Sequence, residues 1–507
     1  MHCKSTTNKS IFLLILYILL PFILLPQNRD EILQTAKELQ YVGEYNKALD
    51  ILGNYHKQYP DDLDGAWLYA QTAYWLKNYK TAFNVYETAI KYHPQNYSLK
   101  LDYAISLLGT GNIKKSLSLL QECYNVDKYN TTTLFAMAQI YYWQLEFEEA
   151  KQKLYEIFLI NPVDKKAIAL AREIFKVESY QLNANMLYSY DDQPLNTIIP
   201  TIETSKFFNK YLNLTCSLQN PFFLTDDKKH NAIWLKLNNT FLFDDNFKIS
   251  ANAGFLNFSN KNKITWKMNI EKKFFQNLLA SARVEKIPYF YTLNSLNNNI
   301  FYKNFDFSIQ WLQNNNWNFN ANFIIYSFGD TNTITTCSGW LTSKPLNFNN
   351  FKLKFGYGYN YSSAKENTFV AEKTLSEIIN SAEYSQIKGI YNPYFTPYKQ
   401  NIHSLILILN YNILKKINFE TKFSIGLLAY TKNPYLYLDK NVNNEIIILR
   451  DYYKRKFTPF DLSFNFNYDI SDKVSLKATY MYNKNNFYTL QYISAGLVYS
   501  FINEKNK

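Results

Sequence analysis

The residue types that most often carry catalysis or bind metals are few and scattered in this sequence. It contains no HExxH motif, CxxC pair, GxSxG elbow or glycine-rich phosphate loop. Gly356 and Gly358 form only a GxG inside a strand-like segment, where close packing or a kink explains them. The histidines are His2, His56, His93, His230 and His403, and the cysteines are Cys3, Cys123, Cys216 and Cys337. We therefore expect no enzyme active site, no metal and no cofactor, and we interpret the cysteines as small hydrophobic residues.

Charged residues that could act together lie in the second half of the chain, where polar and apolar residues alternate. Alternation places them on one face of a strand, together with many Asn and Ser residues. The candidates for this polar face are Lys248, Lys267, Arg283, Glu285, Asp306, Lys352, Lys354, Glu420, Lys422 and Lys477. As the wall of a pore, such a face suits hydrated or anionic solutes. A dense network of the same residues would instead plug the pore.

The alternation begins near Ser179 and predicts an antiparallel β domain. Clear examples are Trp317–Ile325, Phe351–Ser362 and Phe460–Asp469. A soluble sandwich also alternates. However, strand segments of about ten residues or more, with aromatic residues near their ends, are typical of membrane strands and their interfacial girdles. We therefore predict a transmembrane β-barrel over residues 179–502, followed by a short polar tail at 503–507.

The last strand resembles the terminal β-signal that the outer-membrane insertion machinery reads. Its polar residue, glycine and two aromatic residues are Ser494, Gly496, Tyr499 and Phe501. Six residues follow Phe501, whereas the signal usually ends the chain. The resemblance implies that the insertion machinery and outer-membrane lipid are partners of this domain.

Connection lengths predict the number of strands, because such barrels have short periplasmic turns and longer outer loops. Counting back from the last strand gives fourteen strands, the first at Lys210–Leu218. Tyr180–Tyr190 and the proline-containing segment Thr197–Phe207 would add a pair. We predict sixteen strands, with fourteen as the alternative. The long connections are expected at Gln219–His230, Pro288–Asn299, Ser363–Gln400 and Lys432–Pro459.

The first half of the chain repeats with a period of 34 residues. Small residues at two fixed positions let paired helices approach closely, and a proline ends the second helix of most pairs. The small residues are Ala36, Ala70, Ala104 and Ala138, and Ala48, Ala82, Ser116 and Ala150; the prolines are Pro60, Pro94 and Pro162. The segments Tyr45–Pro60 and Tyr79–Pro94 resemble the tetratricopeptide repeat. This resemblance implies an α-helical solenoid over residues 28–178, with four repeats and a capping helix at Lys165–Val177.

Such solenoids usually bind partner segments on a concave face, so a periplasmic protein partner is expected. Trp67, Trp75, Tyr141 and Trp143 are the candidates for lining that groove. Their helical spacing also fits core positions. A plain spacer or assembly platform is the alternative role for the domain.

The amino terminus has the layout of a secretory signal peptide over residues 1–27. Basic residues precede the apolar run Ile11–Leu25, and Pro26 and Gln27 follow it. The cleavage site is poor, so an uncleaved anchor is the alternative. The net charge of +12 comes from lysines spread over the whole chain, and we therefore expect no nucleic-acid partner.

The longest expected outer loop contains a dense aromatic segment. Tyr391, Tyr394, Phe395 and Tyr398 occur there with two prolines. The rings could form a rigid platform that stacks on sugars. A rigid loop entering the next strand explains the segment equally well.

The two halves together resemble the YaiO-type outer-membrane barrel family and, more distantly, the export porins for cellulose and poly-N-acetylglucosamine. Tyr394-Phe395-Thr396-Pro397 is similar to an aromatic-Ser-Pro loop sequence of such barrels, with Thr in place of Ser. The resemblance implies a porin-like component of surface polysaccharide export in the outer membrane, with its repeats in the periplasm. The alternative is a non-conducting structural or assembly protein whose repeats recruit periplasmic partners.

Overall fold

The computed structural model describes residues 29–192, 195–225, 229–244, 246–275, 277–313, 316–381, 387–414 and 416–502. The expected signal peptide at 1–27 and the polar tail at 503–507 lie outside the described residues. The chain divides into two compact units. The first contains most of the helical repeats, and the second contains residues 143–147 and the chain from Ala169 onward, with all of the strands. No described helix is both long and apolar enough to cross a membrane.

Nine helices precede the strands within the described residues. They are α1 Arg29–Tyr41, α2 Tyr45–Gln58, α3 Leu63–Trp75, α4 Tyr79–Tyr92, α5 Tyr97–Gly109, α6 Ile113–Val126, α7 Thr131–Trp143, α8 Phe147–Ile160 and α9 Lys165–Glu178. Successive helices form the pairs that the 34-residue period predicts, and α9 lies where the capping helix is expected. The predicted α-helical repeat array is thereby confirmed.

Small residues are what allow these helix pairs to pack closely. Each alanine of the two repeated positions has no exposed surface, from Ala36 in α1 to Ala150 in α8. Ser116 replaces alanine in α6, and its hydroxyl donates a hydrogen bond of 2.7 Å to the carbonyl oxygen of Ala104. The buried polar group is therefore satisfied, and the close approach is kept.

The second unit is a closed antiparallel barrel. Its segments are β1 Gln181–Asp191, β2 Asn196–Asn209, β3 Leu212–Gln219, β4 Phe222–Leu224, β5 Lys229–Asp244, β6 Phe247–Phe258, β7 Lys261–Phe275, β8 Leu278–Pro288, β9 Phe301–Trp311, β10 Asn318–Phe328, β11 Thr333–Thr342, β12 Leu346–Phe348, β13 Phe351–Ala364, β16 Gln400–Leu414, β17 Ile417–Lys440, β18 Ile446–Lys456, β19 Phe460–Asp469, β20 Val474–Lys484 and β21 Thr489–Ser500. Two short strands of the longest outer loop, β14 Phe369–Ala371 and β15 Gly389–Tyr391, pair only with each other.

Sixteen barrel strands result from these segments in the described part of the chain. The pairs β3 with β4, β11 with β12, and β18 with β19 each form one interrupted strand, because both members pair with the same neighbour. Gln181 lies opposite Ser500, so β21 pairs with β1 and closes the barrel. The prediction of sixteen strands rather than fourteen is confirmed.

The proline-containing segment Thr197–Phe207 is part of β2, and its proline lies opposite an interruption of the neighbouring strand. Pro200 has no N–H to donate, and Asn220, between β3 and β4, donates to its carbonyl oxygen at 3.1 Å. Pro221 follows at once, so a second backbone donor is missing there. The strand resumes at Phe222.

One end of the barrel has short turns, such as 210–211 and 349–350, and the other end has longer connections at 289–300 and 365–399. The long connection predicted at Lys432–Pro459 is present, but it is a β-hairpin and not an irregular loop, since the pairing of β16 with β17 ends at Tyr430. β17 continues to Lys440 and pairs with β18 as a hairpin, because the cross-strand pairing is unbroken from Tyr430 onward. The connection within Gln219–His230 is shorter than expected, since β4 and β5 leave only 225–228 between them.

Candidate functional site

The two faces of the barrel wall differ in exposure and polarity. In β9, Phe305 and Phe307 are 41% and 39% exposed, whereas the intervening Asp306 and Ser308 are 9% and 8% exposed. Apolar side chains therefore point outward and polar side chains point into the lumen. This is the pattern of a barrel whose outer face contacts lipid.

The pairing register of the strands extends this assignment of inward and outward faces to the rest of the barrel. All ten charged residues singled out from the sequence lie on the lumen side: Lys248, Lys267, Arg283, Glu285, Asp306, Lys352, Lys354, Glu420, Lys422 and Lys477. Gly356 lies on the same face of β13, and a Cβ there would be 2.6 Å from the carbonyl oxygen of Leu341. Close packing therefore accounts for at least this glycine of the GxG.

One side of the lumen, built by β6 to β9, carries paired charges. Lys248 lies 3.3 Å from the carboxylate of Glu271, and Arg283 pairs with Asp306. The side chain of Asn304 donates to Glu285 at 3.1 Å. Opposite charges on adjacent strands neutralise each other here, so this wall is polar with little net charge.

The other side of the lumen, built by β13 to β20, carries lysines without such partners. Within the described residues, none of Lys354, Lys422 and Lys477 has a carboxylate oxygen within 4 Å. Lys354 and Lys422 are separated by one strand, each lying opposite Ile408 of β16. Glu420 and Asp461 lie on the same wall and offset part of this charge, so the wall presents a net positive charge to the lumen.

Two lumen-facing tryptophans were not among the sequence candidates. The ammonium of Lys236 lies 3.4 Å from the ring centroid of Trp234, whose indole N–H donates to Thr265 at 2.9 Å. Lys422 lies 5.9 Å from the ring centroid of Trp340. Trp234 lies between the outward Ile233 and Leu235, and Trp340 precedes the outward Leu341, so the period-two pattern could have identified both tryptophans.

An aromatic stack closes part of the outer mouth. The ring of Tyr394 lies 3.6 Å from that of Phe328, at an interplanar angle of 8°. Only 1% of Tyr394 is exposed, and its hydroxyl donates to Asp330 at 2.6 Å. Burial raises the pKa of Tyr394 above its usual range, and the hydrogen bond to Asp330 raises it further. The hydroxyl is therefore neutral at physiological pH.

The next residue in the chain contacts a different part of the rim. Phe395 stacks on Phe487, with ring centroids 4.6 Å apart and 8° from parallel, and Tyr391 lies edge-on to both at 4.8 and 4.7 Å. Phe328 ends the ninth barrel strand, whereas Phe487 lies in the turn between the last two. The segment around residues 391–395 thus crosses the mouth from one side to the other.

A second outer loop, residues 289–300, supports this crossing segment. The hydroxyl of Thr292 donates to the carbonyl oxygen of Pro393 at 2.8 Å. The short helix α10, Leu293–Asn297, buries Leu296 completely among residues that include Leu256 and Phe223. Burial also raises the pKa of Tyr289 at the start of this loop. Residues 289–300 and the crossing segment at 391–395 contain no charged residue, and together they form a largely apolar cover.

These contacts show where the four aromatic residues that could form a platform for sugars lie. Tyr391 and Tyr394 are buried, Phe395 is stacked on Phe487, and Tyr398 lies 4.6 Å from Tyr452. The ring faces are occupied by other rings of the protein. The arrangement favours a rigid loop over a solvent-facing platform for sugars.

The candidate insertion signal lies in the strand that closes the barrel. Ser494 and Gly496 face the lumen opposite Leu187 and Asn185, whereas Tyr499 faces outward opposite Leu182. Phe501 is 53% exposed, and its ring lies 4.8 Å from that of Tyr499. Both aromatic rings are thus grouped at the short-turn end, and recognition by the insertion machinery stays a prediction.

The four groove candidates of the helical repeats separate into two groups. Trp67 is half-buried and donates to Asp102 at 2.6 Å, and Tyr141 packs on the cluster around Met137. Trp75 and Trp143 are 51% and 46% exposed, and each is the last residue of the first helix of its repeat. The second pair is the more accessible for contact with a partner.

Metal ligands are not grouped anywhere in the described ranges: no set of three or more His, Cys, Asp or Glu residues could hold an ion there. The closed barrel, its apolar outer face and the preceding repeats define the class of this protein. It is an outer-membrane β-barrel protein with an amino-terminal tetratricopeptide-like region.

The sequence matches no protein-family model and no curated protein. Among solved structures, the chain is similar to a bacterial polysaccharide outer membrane secretin, with 12% identity over 64% of this chain and 99% of that chain and a TM-score of 0.46. CdiB from Acinetobacter baumannii matches with 9% identity over 63% of this chain and 60% of that chain, at a TM-score of 0.35. A tetratricopeptide repeat protein from Parabacteroides merdae matches with 16% identity over 29% of this chain and 59% of that chain, at a TM-score of 0.28.

Proposed function

We propose that this protein is a porin-like component of surface polysaccharide export. The observation that supports this most is the lumen wall, which is polar and bears free lysines at Lys354, Lys422 and Lys477. A hydrated polymer passing through such a wall exchanges water hydrogen bonds for contacts with amides, hydroxyls and ammonium groups. Transport rather than catalysis is the role, and the protein is a member of the YaiO-type family in this proposal.

The repeat domain lies in the periplasm in this proposal. The direction of the chain supports this placement. β1 follows the repeats and starts at Gln181, opposite Ser205 and Ser500, so it begins at the end of the barrel that has the short turn at 210–211. Short turns are periplasmic in barrels of this type. The exposed Trp75 and Trp143 would then be available to a periplasmic protein partner that delivers the polymer.

In this proposal, the segment that covers the outer mouth acts as a gate. Tyr394 and Phe395 hold the crossing segment against opposite sides of the rim. For the polymer to pass, at least one of the two aromatic stacks that hold this segment must separate. The resting protein therefore keeps the outer mouth closed to leakage, and the arriving polymer displaces the cover.

Deletion of the gene in its native host tests the export function. We expect surface polysaccharide to fall and to return with the wild-type gene. Complementation with the variant Lys354→Glu/Lys422→Glu should restore less polymer than Lys272→Glu, whose side chain lies on the outward face of β7. Unchanged surface polysaccharide in the deletion strain would count against the proposal.

A second function is favoured by the same mouth contacts. If the cover never opens, the barrel is an anchor, and the repeats recruit periplasmic partners to the outer membrane. The complete burial of Leu296 and the near-complete burial of Tyr394 favour a permanent seal. An anchor predicts normal polymer levels in strains whose barrel mouth is locked shut, whereas an exporter predicts their loss.

A further inference from the structure

The outward surface of the barrel carries two adjacent lysines near its outer end. Lys286 of β8 and Lys303 of β9 are direct cross-strand partners, each two residues from the outer end of its strand. Both point away from the lumen, since Glu285 and Asn304 beside them are buried on the inner face. Lys303 is exposed, and Lys286 is half-buried.

The protein supplies no counter-ion for this pair. Like charges directly opposite each other in a sheet are destabilising, because their Cβ atoms are only about 5 Å apart. Their outward cross-strand neighbours are Trp266 on one side and Ser327 on the other, and neither is acidic. Among the described residues, no carboxylate oxygen lies within 4 Å of either lysine. An external anion would relieve the repulsion.

The height of the pair on the barrel indicates what kind of anion is present. The outward positions one step toward the short-turn end are Val284 and Phe305, which belong to the apolar band. The lysines therefore lie where the hydrocarbon region ends and the headgroups of the outer leaflet begin. A phosphate carried by a lipid is held at this level by its own acyl chains.

A cavity beside Lys286 could hold the rest of the headgroup. It has a volume of about 670 Å³ and includes Lys263, Lys286, Asn298, Asn392 and Asp330 in its lining. Asp330 is the acid there, and its carboxylate accepts the hydroxyl hydrogen of Tyr394. Amide side chains can donate to and accept from sugar hydroxyls, so the lining suits a sugar attached to the phosphate.

We propose that Lys286 and Lys303 bind the phosphate monoester of a phosphorylated glycolipid in the outer leaflet. The phosphate bridges the two ammonium groups, and the sugar that carries it occupies the neighbouring cavity. The two lysines face lipid rather than the lumen, whereas the cavity borders Phe328 and Tyr394 of the mouth cover. The bound lipid also contacts the loops that cover the mouth, through Asn392 and Asn298.

The test is native mass spectrometry of the full-length protein in neutral detergent, titrated with diphosphorylated lipid A. The variants are Lys286→Gln, Lys303→Gln, the double variant and Lys303→Arg. We expect each Gln to weaken binding about fivefold, as the loss of one interfacial lysine contact of about 1 kcal/mol predicts. Lys303→Arg should bind as the wild type does, which separates loss of charge from misfolding.

Lys272→Gln is the matched control, since Lys272 is an exposed, outward lysine of β7 at the short-turn end. It should leave the affinity unchanged. Equal affinities for the wild type and the double variant would overturn the proposal, as would equally tight binding of a dephosphorylated lipid A. Inorganic phosphate that binds as tightly as the lipid would overturn the assignment to a lipid.

Discussion

Tyr394 and Phe328 stack face to face with their centroids 3.6 Å apart, although one belongs to the longest outer loop and the other ends a barrel strand. Aromatic pairs contribute about 1 kcal/mol beyond their burial, and truncation of a buried aromatic side chain costs about 3–5 kcal/mol. The neighbouring Phe395 makes a second stack on Phe487. The closed mouth is therefore a stable arrangement held at two points of the rim.

Removal of the first stack should loosen the covering loop. Tyr394→Ala leaves a cavity beside Phe328 and removes the hydrogen bond to Asp330, so residues 365–399 open locally more often. Lys365, Lys373, Lys388 and Lys399 then become cleavable. We expect faster trypsin cleavage of this loop when the protease is added to intact cells.

Phe355→Ala is the control for this experiment, because Phe355 is an outward residue of β13 that is 45% exposed. Its cleavage rate should match that of the wild type. Equal rates for Tyr394→Ala and the wild type would show that the stack does not hold the loop. Cleavage only after the outer membrane is permeabilised would contradict the outer location of the loop.

The free lysines of the lumen should set the charge preference of an open barrel. In a Tyr394→Ala background, Lys354→Glu and Lys422→Glu each change the wall charge by two units. We expect the reversal potential in a salt gradient to shift from anion preference toward cation preference. Lys272→Glu makes the same change on the outward face and should leave the reversal potential where it was. A shift of equal size in this control would contradict a role for the lumen wall.

An acid-sensitive cluster should stabilise the first helix pair of the repeats. Burial acts to raise the pKa of Asp62, but hydrogen bonds from Arg29 at 2.8 Å and from the hydroxyl of Tyr55 at 2.6 Å outweigh it, and the net pKa is lowered. A depressed pKa in the folded state means that the contribution is present above the unfolded value near 3.8 and is lost as pH falls through the folded value.

Asp62→Asn should therefore lower the melting temperature of the helical signal at pH 7, and the difference should vanish at a pH below the folded pKa. Thermal melts of the full-length protein followed by circular dichroism at the two pH values measure this. Asp50→Asn, at an exposed position of α2, should melt as the wild type does at both. A difference for Asp62→Asn that persists in acid would exclude ionisation as its cause.

The two kinds of repeat tryptophan should differ in their effect on stability. Trp67, Gln71 and Tyr86 all donate to the same oxygen of Asp102, at 2.6, 2.9 and 2.6 Å. Trp67→Phe removes a hydrogen bond to a charged group and should cost about 1.5–3 kcal/mol. Trp75→Ala, at a largely exposed position, should change the free energy of unfolding by less than about 0.5 kcal/mol.

Urea unfolding of the helical signal in the full-length protein gives both values. A large loss of stability in Trp75→Ala would mean that this side chain is structural rather than available to a partner. An unchanged free energy of unfolding in Trp67→Phe would show that the hydrogen bonds that converge on Asp102 do not stabilise the repeats.

The features that could be predicted from the sequence are those that recur. Ala36, Ala70 and Ala104 meet the same surroundings in each repeat, so a fixed spacing identifies three fully buried positions. In the strands, alternation identified the residues that face the lumen, because a side chain such as Asp306 faces inward when its neighbours Phe305 and Phe307 face outward. Both patterns depend only on local geometry.

The features that escaped prediction depend on contacts between distant parts of the chain. Nothing near Phe395 in the sequence indicates that its partner is Phe487. The continuation of β17 past Lys432 could not be separated from a loop, because strand length there depends on pairing with β18. Lys286 and Lys303 read singly as ordinary surface lysines, and only the register between β8 and β9 shows that they are neighbours.

The central claim is that the barrel is a conduit closed by the segment that crosses its outer mouth. Planar-bilayer recording of the purified, folded, full-length protein tests it most directly, with Tyr394→Ala/Phe395→Ala beside the wild type. We predict small or rare openings for the wild type and a large, steady conductance for the double variant. A double variant that is correctly folded and as silent as the wild type would contradict the claim.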